Sequence, residues 1–211
     1  MKAKDSKKRI ESQIKDSELV TKRHLQIALA ASKLFIKRGY GQTSMREISK
    51  ASGLTIGNLY DYITKKEDIL YLVFDVFHSI WTNKLEEEGV FEITDPVEQF
   101  DTAIQKMLEL VDAYRDMVLL MYTESKLLPK DFLKVILEKE GGLVRCFEEI
   151  LEHGIKKRVF KIREPFFMAN VIVYLLSLWP LRGWNLRRQY KVEEVNKHLI
   201  EFIKSYLLRI D

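Results

Sequence analysis

Thiol chemistry is almost absent from this chain: its 211 residues include one cysteine, Cys146. A single cysteine builds no internal disulfide framework and no cysteine-based zinc finger, and it fits a reducing compartment. Turn formers are scarce as well, with 9 Gly and 4 Pro, too few for the many turns of a β-sandwich or barrel. The histidines stand far apart, at positions 24, 78, 153 and 198, with neither metal-ligand spacing nor a Cys pair beside them. Gly-rich phosphate loop, nucleophile elbow and paired acid–base signature are all missing, which argues against an enzyme. The opening run Met1 to Arg9 is basic with no apolar stretch behind it, so it is not a secretory signal and the chain is expected in the cytoplasm. No cofactor or metal is expected.

What the chain does have is a folded protein's balance, 46% hydrophobic and 31% charged residues, in a length that fits one or two domains. Its charge is unevenly divided. Residues 1–66 hold 15 Lys and Arg against 6 Asp and Glu, whereas residues 67–211 hold 20 against 25. A basic first third joined to an acidic remainder suggests that one part meets a polyanion. Nucleic acid comes first, because neutralising phosphates releases condensed counterions; an anionic membrane surface comes second.

Apolar residues recur at helical spacing nearly everywhere. Residues 17–38 carry a stripe through Leu25, Ala28, Ala31, Ser32 and Phe35, and Gly39 supplies a stop. Ser44 and Glu47 form a capping box at the head of a helix over 44–51, Gly53 breaks it, and Thr55 caps a further short helix through Ile63. A long helix is expected from Lys65 to about Glu88. Asp95-Pro96 starts another, running to about Tyr114. Shorter pieces follow near 117–127, then a helix over 130–153 with a weak point at Gly141-Gly142, and helices over 165–187 and 192–209. No alternating strand stands out, so the fold class is all-α.

Pro165 to Leu181 is a run of 17 uncharged residues, at the lower edge of what spans a bilayer. A helix apolar all round is equally a buried or subunit-interface helix. Asn170, Ser177 and Pro180 interrupt the run and it has no companion, so no membrane is expected.

Residues 44–63 read as helix, turn, helix, the arrangement whose second helix enters the major groove. Ile48, Ala51, Leu54, Leu59 and Ile63 can close a small core with Leu34 and Phe35. Thr55, Ile56, Gly57, Asn58, Tyr60 and Tyr62 are then left outward. Hydroxyl, amide and phenol groups suit base edges and phosphate oxygens, Ile56 suits a thymine methyl, and Gly57 permits close approach.

The stretch from Gly39-Tyr40-Gly41-Gln42-Thr43-Ser44-Met45-Arg46-Glu47 through Leu54-Thr55-Ile56-Gly57-Asn58-Leu59-Tyr60-Asp61-Tyr62 to Lys66-Glu67-Asp68-Ile69-Leu70 strongly resembles the DNA-binding domain of TetR-family transcriptional repressors. The match spans about the first 80 residues. It implies an all-α homodimer of about nine helices, with a three-helix DNA-binding domain at 1–66 and an effector-binding and dimerisation domain at 67–211. Carried over position by position, the contacts to double-stranded operator DNA would be Thr43, Arg46, Thr55, Gly57, Asn58, Tyr60 and Tyr62, with Lys66 on a phosphate at the head of the fourth helix. Asp61 departs from the basic or neutral polar residue common there, and Ile63 replaces the usual phenylalanine. The basic tail 2–9 is extra length ahead of the first helix, suited to phosphate or a minor groove, or else disordered.

In such proteins the last two helices, here 165–187 and 192–209, pair two subunits. The family's effector cavity lies among the fourth to eighth helices. That implies Met107, Leu110, Tyr114, Met117, Met121 and Tyr122 as candidates, followed by Phe147, Ile150, Phe167, Asn170 and Tyr174; plain core is the alternative for each. A weaker resemblance, through Met121 to Pro129, Phe147 to Gly154 and Trp179 to Arg188, is to acyl-CoA-responsive members. It implies a fatty acyl-CoA effector whose nucleotide end is held by Arg182 and Trp184 with Arg187 and Arg188. Alternatively, these arginines complement a helix dipole. Rival readings are an effector-independent architectural DNA binder and a regulator of an efflux system responding to hydrophobic drugs.

Overall fold

A computed structural model describes residues 10 and 12–208; the basic tail 2–9 lies outside the described residues. Among these there are ten α-helices and no strand. Their ends are written in local chemistry. The Asp16 carboxylate accepts from the Glu18 and Leu19 amides to start α1 (Ser17–Arg38), which Gly39 ends at φ +86°. The expected capping box starts α2 (Met45–Ala51), and the Thr55 hydroxyl accepts from the Asn58 amide at 3.2 Å to start α3 (Ile56–Tyr62). Then come α4 (Lys66–Glu87), a 3-10 turn at Val90–Glu92, and α5 (Pro96–Ala113), begun by Asp95 and Pro96 as the sequence indicated.

The later helices are α6 (Arg115–Glu124), α7 (Lys130–Lys156), α8 (Pro165–Leu176), α9 (Leu178–Leu186) and α10 (Val192–Leu207). Two expectations are corrected here. Gly141-Gly142 does not interrupt α7. The single helix expected over 165–187 is two, bent by 47° at Ser177, which raises the count from nine to ten. Pro180 supplies the reason: it has no amide proton for the Leu176 carbonyl, and its ring crowds that oxygen. No single helix among the described residues is long and apolar enough to cross a membrane; α8 and α9 qualify by length and composition only as a bent pair.

The chain falls into two compact units, Met1–His78 with Asp116–Glu138, and Ser79–Arg115 with Lys139–Asp211. In the first, α1, α2 and α3 pack on one another around Ile27, Ala31, Phe35, Ile48, Leu59 and Ile63. Ala51, expected in this core, is exposed and Leu34 only half-buried; Ser49 and Ser52 are buried instead. Their hydroxyls are satisfied by the carbonyls of Arg46 and Ser49, at 3.0 and 3.1 Å, so burying them leaves no orphaned donor. In the second unit α5 packs against α8, α9 and α10, with Phe100, Ile104, Met107, Phe147, Ile150 and Ile172 all but inaccessible.

Candidate nucleic-acid interface

Three short helices with a fixed turn make a reading head if the last presents a polar, accessible face. α3 is held at both ends. Thr55 caps its start, and at its finish the Tyr62 carbonyl lies 3.3 Å from His24 Nε2 of α1, while Gln13 N donates to the Asp61 carbonyl at 2.9 Å. The α2–α3 turn passes through Gly53 at φ +67°, a left-handed conformation that glycine adopts without strain. Gln26 of α1 donates to the Ser52 carbonyl in that turn, and Arg23 Nη1 donates to Gln26 Oε1 at 2.7 Å.

On this frame Thr55, Ile56, Gly57, Asn58 and Tyr60 are exposed, with Ile56 at 38% and Tyr60 at 46%. They form one accessible patch of hydroxyl, methyl, amide and phenol. A Cβ added to Gly57 would meet nothing nearer than the Thr55 hydroxyl at 4.0 Å. Nothing in the fold itself therefore calls for glycine at that position, although glycine costs a helix about 1 kcal/mol relative to alanine. Arg46 is exposed on α2, and so is Lys50 one turn further on. Lys50 was not singled out from the sequence, although its i,i+4 spacing from Arg46 was legible there.

Three expected contact residues lie elsewhere. Thr43 is 2% exposed and its hydroxyl donates to the Gly39 carbonyl at 2.9 Å, closing the α1–α2 turn. Tyr62 is 6% exposed, edge-on to His24 with ring centroids 6.5 Å apart; at the last turn of α3 its side chain has rotated round to the core side. Lys66 Nζ donates to the carbonyls of Tyr40, Gly41 and Thr43 at 2.9, 3.4 and 3.1 Å and sits 4.4 Å from the centre of the Tyr40 ring. An ammonium has three protons, and here all three are directed at the turn rather than at a phosphate. At the head of α4 the Lys65 amide donates to Asp68, at 3.1 Å. Burial pushes the Asp68 carboxyl above its ordinary value, opposed by hydrogen bonds to Lys65 and Thr64.

Residues 27–71 match the model of the bacterial regulatory proteins of the tetR family, and residues 94–203 match that of the tetracyclin repressor-like C-terminal domain. The chain belongs to the TetR family. It is a TetR-family transcriptional regulator. Over 199 residues it is 26% identical to the HTH-type transcriptional regulator HbdR of Aromatoleum sp. (strain CIB), covering 94% of this chain and 86% of that one. Over 184 residues it is 25% identical to the fatty acid metabolism regulator protein of Bacillus subtilis (strain 168), covering 87% and 94%. The crystal structure of AibR in complex with isovaleryl coenzyme A and operator DNA shares the fold, with a TM-score of 0.71, 21% identity, and coverage of 88% of this chain and 98% of that one.

In this TetR-family chain the expected effector residues divide between the compact units. Met117, Met121 and Tyr122 belong to the first, where they are buried, half-buried and exposed in turn. In the second, Met107, Phe147 and Ile150 are core, while Leu110 and Tyr114 are half-buried. Phe167, Asn170 and Tyr174 do not line an enclosed cavity: they lie on the outer side of α8, Phe167 at 68% and Tyr174 at 61% exposure. Helix phase explains it, because Met168, Ala169, Ile172, Val173 and Leu176 take the inner side. Arg182 and Trp184 are exposed on α9, the guanidinium 5.2 Å from the indole centre. Arg187 Nε donates to the Gly183 carbonyl at 2.8 Å, serving its own helix end.

An open groove of about 740 Å³ between α5 and α10 is lined by Gln105, Leu108, Asn196, Lys197, Ile200 and Lys204 among others; none of the expected effector residues lines it. Cys146 is buried, and burial, with Glu149 adding, pushes its thiol up to about 12. Among the described residues no group of His, Cys, Asp and Glu can hold a metal.

Proposed function

We propose that this chain is a ligand-responsive repressor that binds a pseudo-palindromic operator as a homodimer. Residues 1–66 carry the reading head and residues 67–211 the effector-binding and dimerisation functions. Arg46 and the outer face of α3, Thr55, Ile56, Gly57, Asn58 and Tyr60, meet the DNA, while Thr43, Tyr62 and Lys66 hold the head in shape. The supporting observation is Gly57, a helical glycine with open space beyond it on a polar, accessible face. Its use is outside the fold, where a missing Cβ lets the helix backbone approach a groove. Two subunits pair through α8 and α9, which together make up the segment 165–187, and α10, putting two heads on half-sites about one helical turn apart.

The effector is a small amphipathic molecule, with a fatty acyl-CoA favoured. Two relatives support that choice, the B. subtilis fatty acid metabolism regulator and AibR with its isovaleryl coenzyme A. An effector that binds the DNA-free form better lowers operator affinity by that difference in affinity.

Gly57→Ala tests the head because its two effects have opposite signs. The melting temperature rises, by the equivalent of up to about 1 kcal/mol, while affinity for DNA from upstream of the protein's own gene falls. A variant that is more stable and binds as well as the parent overturns the reading. Fluorescence anisotropy on the same complex tests the effector. Release by a long-chain acyl-CoA, with no response to free fatty acid or free CoA, is the expected result; tight binding that none of the three disturbs discards the acyl-CoA and keeps the DNA-binding half.

A further inference from the structure

The chain passes from one compact unit to the other at His78–Ser79 inside α4, at Arg115–Asp116 where α6 begins, and at Glu138–Lys139 inside α7. A connection between helices bends readily, whereas a helix interior does not, so α4 and α7 decide how far either unit can move. The two helices are packed differently around their crossings. α4 buries Phe74, Phe77, His78, Trp81 and Leu85. In α7, Phe132 and Ile136 are buried ahead of the crossing and Leu143 and Val144 beyond it. None of residues 137–142 is buried, and Leu137 is 60% exposed. This is about one and a half turns without a buried side chain, and it includes Gly141 and Gly142.

The fold does not call for glycine at either position. A Cβ on Gly141 or Gly142 would meet only the far end of the exposed Arg145 side chain, Nη1 at 3.3 Å and Nη2 at 3.8 Å. Two glycines in place of two alanines make a helical stretch about twentyfold easier to open. Stretches with few buried apolar contacts are also where a structure opens first. The weak backbone and the gap in packing therefore fall on the same short piece of α7, just past the crossing.

We propose that Gly141–Gly142 is a joint at which α7 bends when effector is bound, so that each end of the helix keeps its own packing while the unit carrying the reading head moves. The inference rests on the ligand-responsive reading given above and adds the place where the response is admitted. Hinges are a few residues that absorb a change of backbone angles, and glycine lowers the cost through its backbone freedom. The DNA-binding form keeps α7 unbroken and the effector-bound form bends it, so the cost of bending is set against release.

The test uses the full chain and the double variant Gly141→Ala with Gly142→Ala, which should fold at least as well as the parent because alanine favours a helix. Hydrogen exchange, read as protection factors along α7, comes first because it needs neither DNA nor effector. The parent should be less protected over 139–146 than over 147–151, and the variant should gain about twentyfold protection over 139–146. Even protection along the parent helix overturns the joint. Release from upstream DNA by a long-chain acyl-CoA, followed by anisotropy, tests its use. Without acyl-CoA the variant should bind as the parent does, and its half-release should need about three- to twentyfold more acyl-CoA. Equal release of parent and variant overturns the regulatory role and leaves the effector reading intact. A parent that acyl-CoA does not release overturns the effector reading and the regulatory role together, while the exchange pattern still decides whether α7 has a joint.

Discussion

His24 stands where α1 meets the end of α3, and burial holds its pKa below the ordinary histidine value despite the Tyr62 carbonyl and Asp75, which raise it. The unfolded chain then binds the proton more readily than the fold does. Stability is whole on the alkaline side of the ordinary value, 6.5, and is lost as pH falls through that value towards the depressed one. Melting curves between about pH 7.5 and 5.5 are expected to fall more steeply for the parent than for His24→Gln, which keeps an N–H donor and cannot take the extra proton. Parallel curves would remove His24 from this role. The neighbouring residues show the limit of reading side chains from sequence. Lys66 was legible as a cation at the head of a helix, but its three carbonyl partners come from the Tyr40–Thr43 turn, whose path no local pattern discloses. Thr43 and Tyr62 were misplaced for a related reason: each sits at an element's end, where facing is set by the turn rather than by periodicity.

Helix boundaries were legible wherever their signals are local. Ser44 with Glu47, Thr55 and Asp95 with Pro96 all begin helices as their chemistry indicates. The misjudged interior points depended on packing. Two glycines cost α7 about 2 kcal/mol of helix propensity, yet the helix continues because Leu143, Val144, Phe147, Ile150 and Leu151 are buried along it. A single proline, by contrast, does break the 165–187 segment, since no packing restores a missing amide proton. Gly154, near the end of α7, is glycine for a reason the sequence hides: a Cβ there would come within 2.0 Å of the Phe160 ring, itself edge-on to Phe100 with centroids 6.1 Å apart. Gly154→Ala should lower stability by about 1–3 kcal/mol in urea melts. An unchanged midpoint would mean that the ring moves aside freely.

At the scale of the molecule, α8 and α10 leave large aromatics in solvent, with Phe166 and Phe167 at 60% and 68% and Phe202 at 64% exposure. Surfaces of this kind mark sites of association, and the sequence had flagged the α8 part through its near-membrane hydrophobicity. Phe167→Glu with Phe202→Glu should give a monomer by light scattering and lose operator affinity, because one head then binds a half-site alone; a double variant that stays dimeric moves the interface elsewhere. The proposed effector site was the least legible part, since a cavity is defined by the spaces between helices and not by the residues of any one. Cys146 carries a practical consequence for such experiments. Its thiol is sequestered and hardly ionises near neutral pH, so to a maleimide dye the natural chain presents no reactive cysteine. A cysteine placed at exposed Lys50 would take the label alone, giving one fluorophore per subunit on a known helix without any prior removal of native sulfur.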